Sequence, residues 1–219
     1  MQIPSNPLIY LASASPRRSA LLSQIGVAHR VRPVSADERV LPGEEPARYV
    51  RRLALLKAQT LWRELDPAER MPVLGADTAV AIGGEILGKP ADESDCLRML
   101  QALSGRTHQV YTAVALRSDS GDDSRVSVND VTFRALTQEE MRAYWASGEP
   151  ADKAGAYAVQ GLAAAFIERI AGSYSGVVGL PLFETAQLLN SIGWSVRSAA
   201  PVAGARDAAA TPAVNEARG

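Results

Sequence analysis

Cysteine and histidine are scarce in this chain, which has one cysteine and two histidines among its 219 residues. The single cysteine, Cys96, excludes an internal disulfide framework and is typical of a reducing cytoplasm, where we expect the protein to act. With only His29 and His108 beside it, a zinc site of histidine and cysteine ligands is not expected. A required metal would instead be Mg²⁺ or Mn²⁺, held by carboxylates and phosphate oxygens.

The sequence also lacks long apolar runs, a surplus of positive charge and the common nucleotide-binding signatures. No stretch is long and apolar enough to span a membrane, so we expect no membrane partner. Lysine and arginine total 23 against 24 aspartates and glutamates, a net charge of −1, which argues against a nucleic-acid partner. Neither GxxxxGK[ST] nor GxGxxG occurs, so a P-loop or dinucleotide-binding fold is not supported.

The remaining composition is that of an ordinary globular protein, with 47% hydrophobic and 21% charged residues. Helical and strand patterns alternate along most of the chain, which predicts an α/β fold. We expect one domain over residues 1–197. Residues 198–219 are rich in alanine, proline and small polar residues without periodicity, and this predicts a disordered C-terminal tail.

A turn between an apolar strand and a helix is the first candidate site. Residues 9–11 end a predicted strand, Ser15 has the position of an N-cap, and Pro16 that of the first helical residue. A helix N-terminus attracts anions, and Arg17 and Arg18 add donors suited to phosphate. The alternative interpretation is a capped helix with two arginines in water, which the local pattern alone does not exclude.

Two charged residues interrupt apolar patterns farther along. Lys57 falls on the apolar stripe of a helix predicted over residues 46–65, where its ammonium either reaches water or enters a cleft. Asp77 lies inside an apolar strand predicted over residues 73–82. Because a buried carboxylate is costly without a cation, a metal or donors, Asp77 requires a partner.

Further polar residues follow predicted strands. Glu38 comes after a short strand, and Lys89 lies where a hairpin leaves the sheet. Lys153 and Gln160 belong to a polar, glycine-rich loop over residues 149–161. Each has an ordinary explanation, such as a surface ion pair or a turn. Taken together, these cations could surround a polyphosphate while Glu38 and Asp77 hold a metal ion and activate water.

These residues lie in motifs that resemble the Maf-type nucleoside triphosphate pyrophosphatases. The motifs are LASASPRR, the pair DE at 37–38, GADT, LGKP, LSG, EPADKAGAYAVQG and VVGLP, in this order along about residues 8–196. The resemblance implies a two-lobed Maf/ITPase-like α/β fold with an elongated mixed sheet flanked by helices, and a nucleotide in the cleft between the lobes. It also implies Mg²⁺- or Mn²⁺-dependent hydrolysis of a nucleoside triphosphate to the monophosphate and pyrophosphate, a house-cleaning role and a homodimer.

The resemblance also implies roles for individual residues. Asp77 would be the general base, and Glu38 and Asp77 would bind the metal. The phosphate-binding residues would be Ser13, Arg17, Lys57, Lys89 and Lys153. Arg18, Thr78 and Gln160 match a subgroup that looks like dTTP/UTP pyrophosphatases. Ala158-Val159 stands where that family often has Gly-Ile, which leaves the shape of the loop open.

Two alternatives remain at this point. One is a nucleotide-binding regulator of cell division with little hydrolysis, which the presence of Asp77 and Glu38 makes less attractive. The other is a pyrophosphatase that prefers 7-methyl-GTP. That sister subgroup usually differs after the aspartate and has EG where this chain has Gln160-Gly161, so Thr78 and Gln160 both favour the pyrimidine substrates, modified pyrimidine nucleotides included.

Overall fold

Seven strands form one mixed sheet in the computed structural model, which describes residues 8–195. The strands are β1 Ile9–Leu11, β2 His29–Val31, β3 Val73–Ile82, β4 Glu85–Leu87, β5 Thr107–Ser118, β6 Gly121–Phe133 and β7 Ile167–Ala171. The helices are α1 Pro16–Gln24, α2 Pro46–Glu64, α3 Glu93–Leu103, α4 Gln138–Ala146, α5 Tyr174–Val178 and α6 Leu182–Asn190. The tail predicted over residues 198–219 lies outside the described residues.

The strand order is β2-β1-β3-β5-β6-β7, with β4 paired to β3. β1 runs parallel to β2 and β3, and all other neighbours are antiparallel. The sheet is elongated because β3, β5 and β6 have 10, 12 and 13 residues. The predicted α/β class with an elongated mixed sheet is therefore confirmed.

The buried apolar side chains form three clusters that divide the molecule into two lobes. One cluster lies between α2 and the sheet, and a second lies between the opposite face and α1 and α6. The third surrounds α3, α4 and the far ends of the long strands. A cleft lies where the three clusters meet, because Ala12, Val178 and Tyr157, one from each cluster, all line it. No helix within residues 8–195 combines the length and the apolar character that crossing a membrane requires.

Several local predictions agree closely with the structure. The strand predicted over 73–82 is β3, and the helix predicted over 46–65 is α2. Thr137 and Glu140 form a capping box at the start of α4. Cys96 is fully buried in α3, and burial raises the pKa of its thiol to about 11, as suits a core residue. Ser15 is the N-cap residue of α1, but its side chain makes no capping hydrogen bond.

The polar run over residues 118–124 joins β5 to β6 through a tight turn. β6 begins at Gly121, so the turn is tight and most of the run is strand. Arg117 on β5 pairs with Asp122 on β6 in register, with 3.4 Å between Nη1 and Oδ1. Charge pairs across antiparallel strands favour such pairing, and this explains why so polar a segment continues the sheet.

Candidate active site

The cleft has a volume of about 420 Å³ and is open to solvent between the two lobes. Its lining includes every residue that the sequence analysis singled out: Ser13, Arg17, Arg18, Glu38, Lys57, Asp77, Thr78, Lys89, Lys153 and Gln160. These residues come from α1, α2, β3, the loops after β1, β2 and β4, and the segment 149–161. Sequence positions as far apart as 13 and 160 thus meet in one place.

The first turn places its two arginines differently. Arg18 is anchored, because its Nε donates to the Gly179 carbonyl at 2.8 Å and its Nη1 donates to Ser13 Oγ at 3.1 Å. Arg17 makes no hydrogen bond or ion pair within residues 8–195, yet it lines the same cleft. Its guanidinium is therefore available to an anion near the N-terminus of α1, where the helix dipole favours negative charge.

Lys57 bridges two carboxylates in the cleft. Its Nζ lies 2.7 Å from Asp77 Oδ1 and 2.7 Å from Glu38 Oε1. The lysine is 9% exposed and Asp77 is 6% exposed, so the pair is nearly dry. Of the two interpretations of Lys57, the one that places its ammonium in a cleft is confirmed.

Gly75 makes this contact possible. A Cβ at this position would lie 2.2 Å from the carbonyl oxygen of Ala54 and 2.9 Å from the amide nitrogen of Ala58, so only glycine lets α2 approach β3 this closely. The approach brings Lys57, one residue before Ala58, against Asp77, two residues after Gly75. Gly75 of the GADT motif thus allows the close packing of α2 on β3 that brings Lys57 and Asp77 into an ion pair.

The two carboxylates differ in their acidity. Burial raises the pKa of Asp77, although Lys57 and Arg18 act in the opposite direction. Burial also acts to raise the pKa of Glu38, but the hydrogen bond and charge of Lys57 outweigh it and leave that pKa lowered. The raised pKa makes Asp77 the better proton acceptor of the two, whereas Glu38 stays ionised.

The donor set fits a divalent cation that is shared with a ligand. Glu38 and Asp77 both direct an oxygen at Lys57 Nζ, so two carboxylates converge on one point in the cleft. Within residues 8–195, no group of three or more histidines, cysteines, aspartates and glutamates is placed to hold a metal. Magnesium is commonly held by one or two carboxylates together with substrate phosphates and water, and this arrangement matches that pattern.

Thr78 belongs to a chain of hydrogen bonds that the sequence alone does not predict. Arg18 Nη2 donates to Thr78 Oγ1 at 3.1 Å, and Thr78 Oγ1 lies 3.0 Å from Thr112 Oγ1. Thr112, which is fully buried on β5, donates to the Gly176 carbonyl at 2.8 Å. Thr112 lies opposite Thr78 in the β3–β5 register. A single sequence does not show which strands pair, so it could not identify Thr112 as a partner of Thr78.

Glu149 is a second residue that sequence reasoning missed. Its carboxylate accepts hydrogen bonds from the Leu162 amide at 2.9 Å and from the Tyr144 hydroxyl at 2.8 Å. The Tyr144 hydroxyl in turn accepts from the Ala158 amide at 3.2 Å. A Cβ at Gly161 would lie 2.2 Å from the Glu149 carboxylate, so the loop that carries Gln160 wraps closely around this group. We call this arrangement the Glu149 clamp.

The rest of the loop is attached to the sheet at two points. Gly155 has a φ of +68°, its amide donates to the Gly88 carbonyl at 2.9 Å, and a Cβ there would lie 2.8 Å from the Val80 side chain. Tyr157 Oη lies 2.9 Å from Nε2 of His108, which is buried on β5. Burial lowers the pKa of His108 to about 4, so the ring is neutral near pH 7.

The last three predicted residues lie toward the opening of the cleft. Lys89 and Gln160 are exposed, and Lys153 is half-buried and paired with Asp152. The Asp152–Lys153 ion pair is thus real, as one ordinary interpretation of that dipeptide expected, and both residues also line the cleft. The geometry brings all ten predicted residues together, while their individual roles remain predictions.

Comparison with known proteins gives a consistent picture. The sequence model of a family described as Maf-like protein matches residues 8–192. A protein of Aromatoleum aromaticum named dTTP/UTP pyrophosphatase is 52% identical over 205 residues, covering 87% of this chain and 98% of that protein. Proteins of the same name from Nitrosomonas europaea and Bordetella parapertussis are 52% and 54% identical, covering 90% and 87% of this chain and 100% and 95% of their own lengths.

Solved structures offer only a distant likeness. A dITP/XTP pyrophosphatase from Mycobacterium abscessus aligns with a TM-score of 0.36 and 17% identity over 57% of this chain and 72% of its own. The Ham1 protein of Staphylococcus aureus aligns with a TM-score of 0.40 and 15% identity over 57% of this chain and 70% of its own. Similarity this low supports no conclusion about fold or function.

Proposed function

The chain belongs to the Maf-like protein family, and from this premise we propose that it is a nucleoside triphosphate pyrophosphatase that hydrolyses dTTP and UTP. The products are the nucleoside monophosphate and pyrophosphate. The relatives that carry the name dTTP/UTP pyrophosphatase are matched over nearly their full length. Modified pyrimidine nucleotides are further candidate substrates, in keeping with a house-cleaning role.

One observation carries this proposal: a single cleft unites the buried Asp77–Lys57 ion pair and the half-exposed Glu38 carboxylate with four further cationic side chains. Those cations are Arg17, Arg18, Lys89 and Lys153. A triphosphate and its metal ion need several cations and acidic ligands in one place. A neutral ligand would not require so many charged side chains in its binding site.

The chemistry we propose is attack by water on the α-phosphorus. Asp77 accepts a proton from the water as its oxygen bonds to phosphorus, and the bond from phosphorus to the bridging oxygen breaks. Arg17, Lys89 and Lys153 stabilise the charge that develops on the departing pyrophosphate. Glu38 and Asp77 would hold a Mg²⁺ or Mn²⁺ ion, which supplies charge neutralisation at the phosphate oxygens when bound.

We assign Lys57 one role in the free protein and another when the nucleotide is bound. Its ammonium bridges two carboxylates that would otherwise repel each other, the buried Asp77 and the half-exposed Glu38. With a nucleotide bound, the same ammonium would donate to a phosphate oxygen through a charge-assisted hydrogen bond, which is about 2.7–2.9 Å long. We therefore assign Lys57 to phosphate binding as well as to positioning Asp77.

The pyrimidine preference rests on Arg18, Thr78 and Gln160, which line one cleft with the phosphate-binding residues. A glutamine amide both donates and accepts hydrogen bonds, as does the edge of uracil or thymine. We also propose that the protein acts in the cytoplasm, that it forms a homodimer, and that residues 1–197 form one domain.

Pyrophosphate release from a panel of nucleoside triphosphates tests the proposal. The panel contains dTTP, UTP, the other common nucleotides, modified pyrimidine triphosphates and 7-methyl-GTP, each with Mg²⁺, with Mn²⁺ and with a chelator. We expect dTTP and UTP to be the best substrates and turnover to stop without a divalent cation. Preferred hydrolysis of 7-methyl-GTP would contradict the pyrimidine assignment, and tight dTTP binding without pyrophosphate release would favour a regulator of cell division.

A further inference from the structure

The hydrogen-bond chain through Thr78 has a direction that can be worked out by counting protons. The carbonyl oxygen of Gly176 only accepts, so at 2.8 Å the single hydroxyl proton of Thr112 must lie between the two oxygens. Thr112 then has no proton for Thr78, and the 3.0 Å contact between their hydroxyls requires Thr78 to be the donor. Arg18 carries only donors, so it donates to Thr78.

This direction leaves Thr78 with a single remaining capacity toward a ligand. Its one proton is committed to Thr112, and one of its two lone pairs is used by Arg18. Thr78 lines the cleft, and this second lone pair is the only hydrogen-bonding capacity that its side chain can still offer to a ligand. Unlike an ordinary threonine, which can rotate its hydroxyl to donate or accept, Thr78 can only accept.

We infer that Thr112 is a positioning residue which holds Thr78 as an obligate acceptor, so that this part of the cleft selects a nucleotide with a hydrogen-bond donor, the imide N–H of uracil or thymine. The inference rests on the proposed function and deepens it. Cytosine carries an acceptor nitrogen at the corresponding ring position and would face the Thr78 oxygen lone pair to lone pair. A site that requires a donor rejects an analogue without one more strongly than an apolar pocket does.

The surroundings of Thr112 support a positioning role. The side chain is fully buried, so it cannot touch a nucleotide itself. Its acceptor, the Gly176 carbonyl, belongs to α5 and also receives the Gly179 amide at 3.1 Å, while the Gly179 carbonyl receives Arg18. Arg18, Thr78 and Thr112 thus form a closed path between α1, β3, β5 and α5, which fixes the direction of every donor in it.

The test compares kcat/KM for dTTP with kcat/KM for dCTP. Thr112→Val keeps the shape of the side chain but removes its hydroxyl, which frees the Thr78 proton to turn toward the ligand. We expect the dTTP/dCTP ratio to fall about tenfold, the equivalent of one hydrogen bond. Thr112→Ser retains the hydroxyl and should keep the ratio within about twofold, well inside that range. If Thr112→Val folds poorly, Thr112→Ala provides the same loss in a smaller side chain.

A matched control comes from a second threonine pair across β5 and β6. Thr107 and Thr132 share a 2.8 Å hydrogen bond between their hydroxyls, but this pair is exposed and outside the cleft. Thr132→Val makes the same chemical change there, and we expect the wild-type ratio. Equal loss of discrimination in Thr132→Val and Thr112→Val would overturn the inference, because a general weakening of the sheet would then explain both.

Substrate analogues identify the hydrogen-bond donor of the nucleotide that Thr78 accepts from. A methyl group on N3 of dTTP removes the imide N–H, and we expect a loss of about tenfold or more in kcat/KM with the wild-type protein. The 3′-deoxy analogue of dTTP removes a sugar donor and should retain activity; loss on this analogue alone would contradict the imide assignment.

An unchanged dTTP/dCTP ratio in Thr112→Val, with dTTP still hydrolysed, overturns this inference alone. Absence of dTTP and UTP hydrolysis in the wild-type protein overturns the proposed function as well.

Discussion

The cleft has two walls that are held in different ways. The sheet wall consists of Lys57, Asp77 and Thr78, whose positions follow from the strand register and from the close approach of α2 to β3. The loop wall is the segment 149–161, which has short 3₁₀ turns and no strand pairing. It is held by the Glu149 clamp, by the contact between His108 and Tyr157, and by Ala156 and Tyr157, which pack into the apolar cluster around α3 and α4.

The difference suggests a division of labour. The proposed base, Asp77, and its partner Lys57 lie on the wall that the core fixes, which suits a catalytic group because small displacements of it cost large factors in rate. Gln160, one of the residues that we assign to nucleotide choice, is exposed on the loop wall, beyond the buried Ala156 and Tyr157. An exposed loop position of this kind tolerates changes of side chain, which suits a position that sets substrate preference.

The largest effect should come from the sheet wall. Asp77→Asn retains the size of the side chain but removes the proposed base, and we expect kcat to fall by roughly 10²–10⁴. Thermal unfolding should change little, since Lys57 still pairs with Glu38. Asp37→Asn is the matched control, because Asp37 is exposed, pairs with Arg39 and lies outside the cleft lining. Near-normal dTTP hydrolysis by Asp77→Asn would refute the assignment of the base.

The contact that attaches the loop wall to the sheet should weaken in acid. Burial lowers the pKa of His108 to about 4, against 6.5 for an ordinary histidine. Between these values the unfolded chain takes up a proton that the folded protein does not, so stability falls as pH decreases from 6.5 and levels off below about 4. The full contribution is about 3 kcal/mol.

Urea unfolding between pH 8 and pH 4 measures this effect. Carboxylates also titrate in the lower part of that range, so the informative quantity is the difference between the wild-type protein and His108→Gln. We expect the difference in unfolding free energy to change by about 3 kcal/mol as the pH falls. A difference that stays constant with pH would mean that His108 is not held neutral in the folded protein.

A third prediction concerns the packing that supports the sheet wall. Gly75→Ala would place a Cβ 2.2 Å from the Ala54 carbonyl oxygen, a backbone atom that cannot swing away. We expect α2 to shift, with a loss of about 2 kcal/mol in unfolding free energy and a fall in kcat as Lys57 moves from Asp77. Gly88→Ala is the control, since a Cβ there meets nothing within 4 Å. Equal stability of the two variants would show that the close approach is unimportant.

The smallest predicted effect concerns the Glu149 clamp. Glu149→Gln retains one acceptor oxygen but presents an amide where the second oxygen accepts, so we expect a stability loss of about 1 kcal/mol. The KM for dTTP should rise by up to about tenfold while kcat changes less, because the loop that carries Gln160 is loosened. Glu139→Gln, an exposed change on α4, should leave both constants unchanged. A fall in kcat without a rise in KM would argue against this role.

The two walls also differ in how far the sequence predicts them. Asp77 and Lys57 stand out because a charge interrupts an apolar pattern of known period, and that signal is local. Thr112 gives no such signal, since an alternating strand tolerates threonine and its role depends on which strand lies opposite. Glu149 lies in a recognisable motif, but the donors that it binds come from residues 144 and 162, and no local pattern predicts such a wrapped loop.

The central claim is that the sheet wall directs water to the α-phosphorus of a pyrimidine nucleoside triphosphate. Hydrolysis of dTTP in ¹⁸O-labelled water, followed by mass spectrometry of both products, tests it most directly. We expect one labelled oxygen in thymidine monophosphate and none in pyrophosphate. Label in the pyrophosphate, or release of inorganic phosphate as the first product, would mean that water does not attack the α-phosphorus.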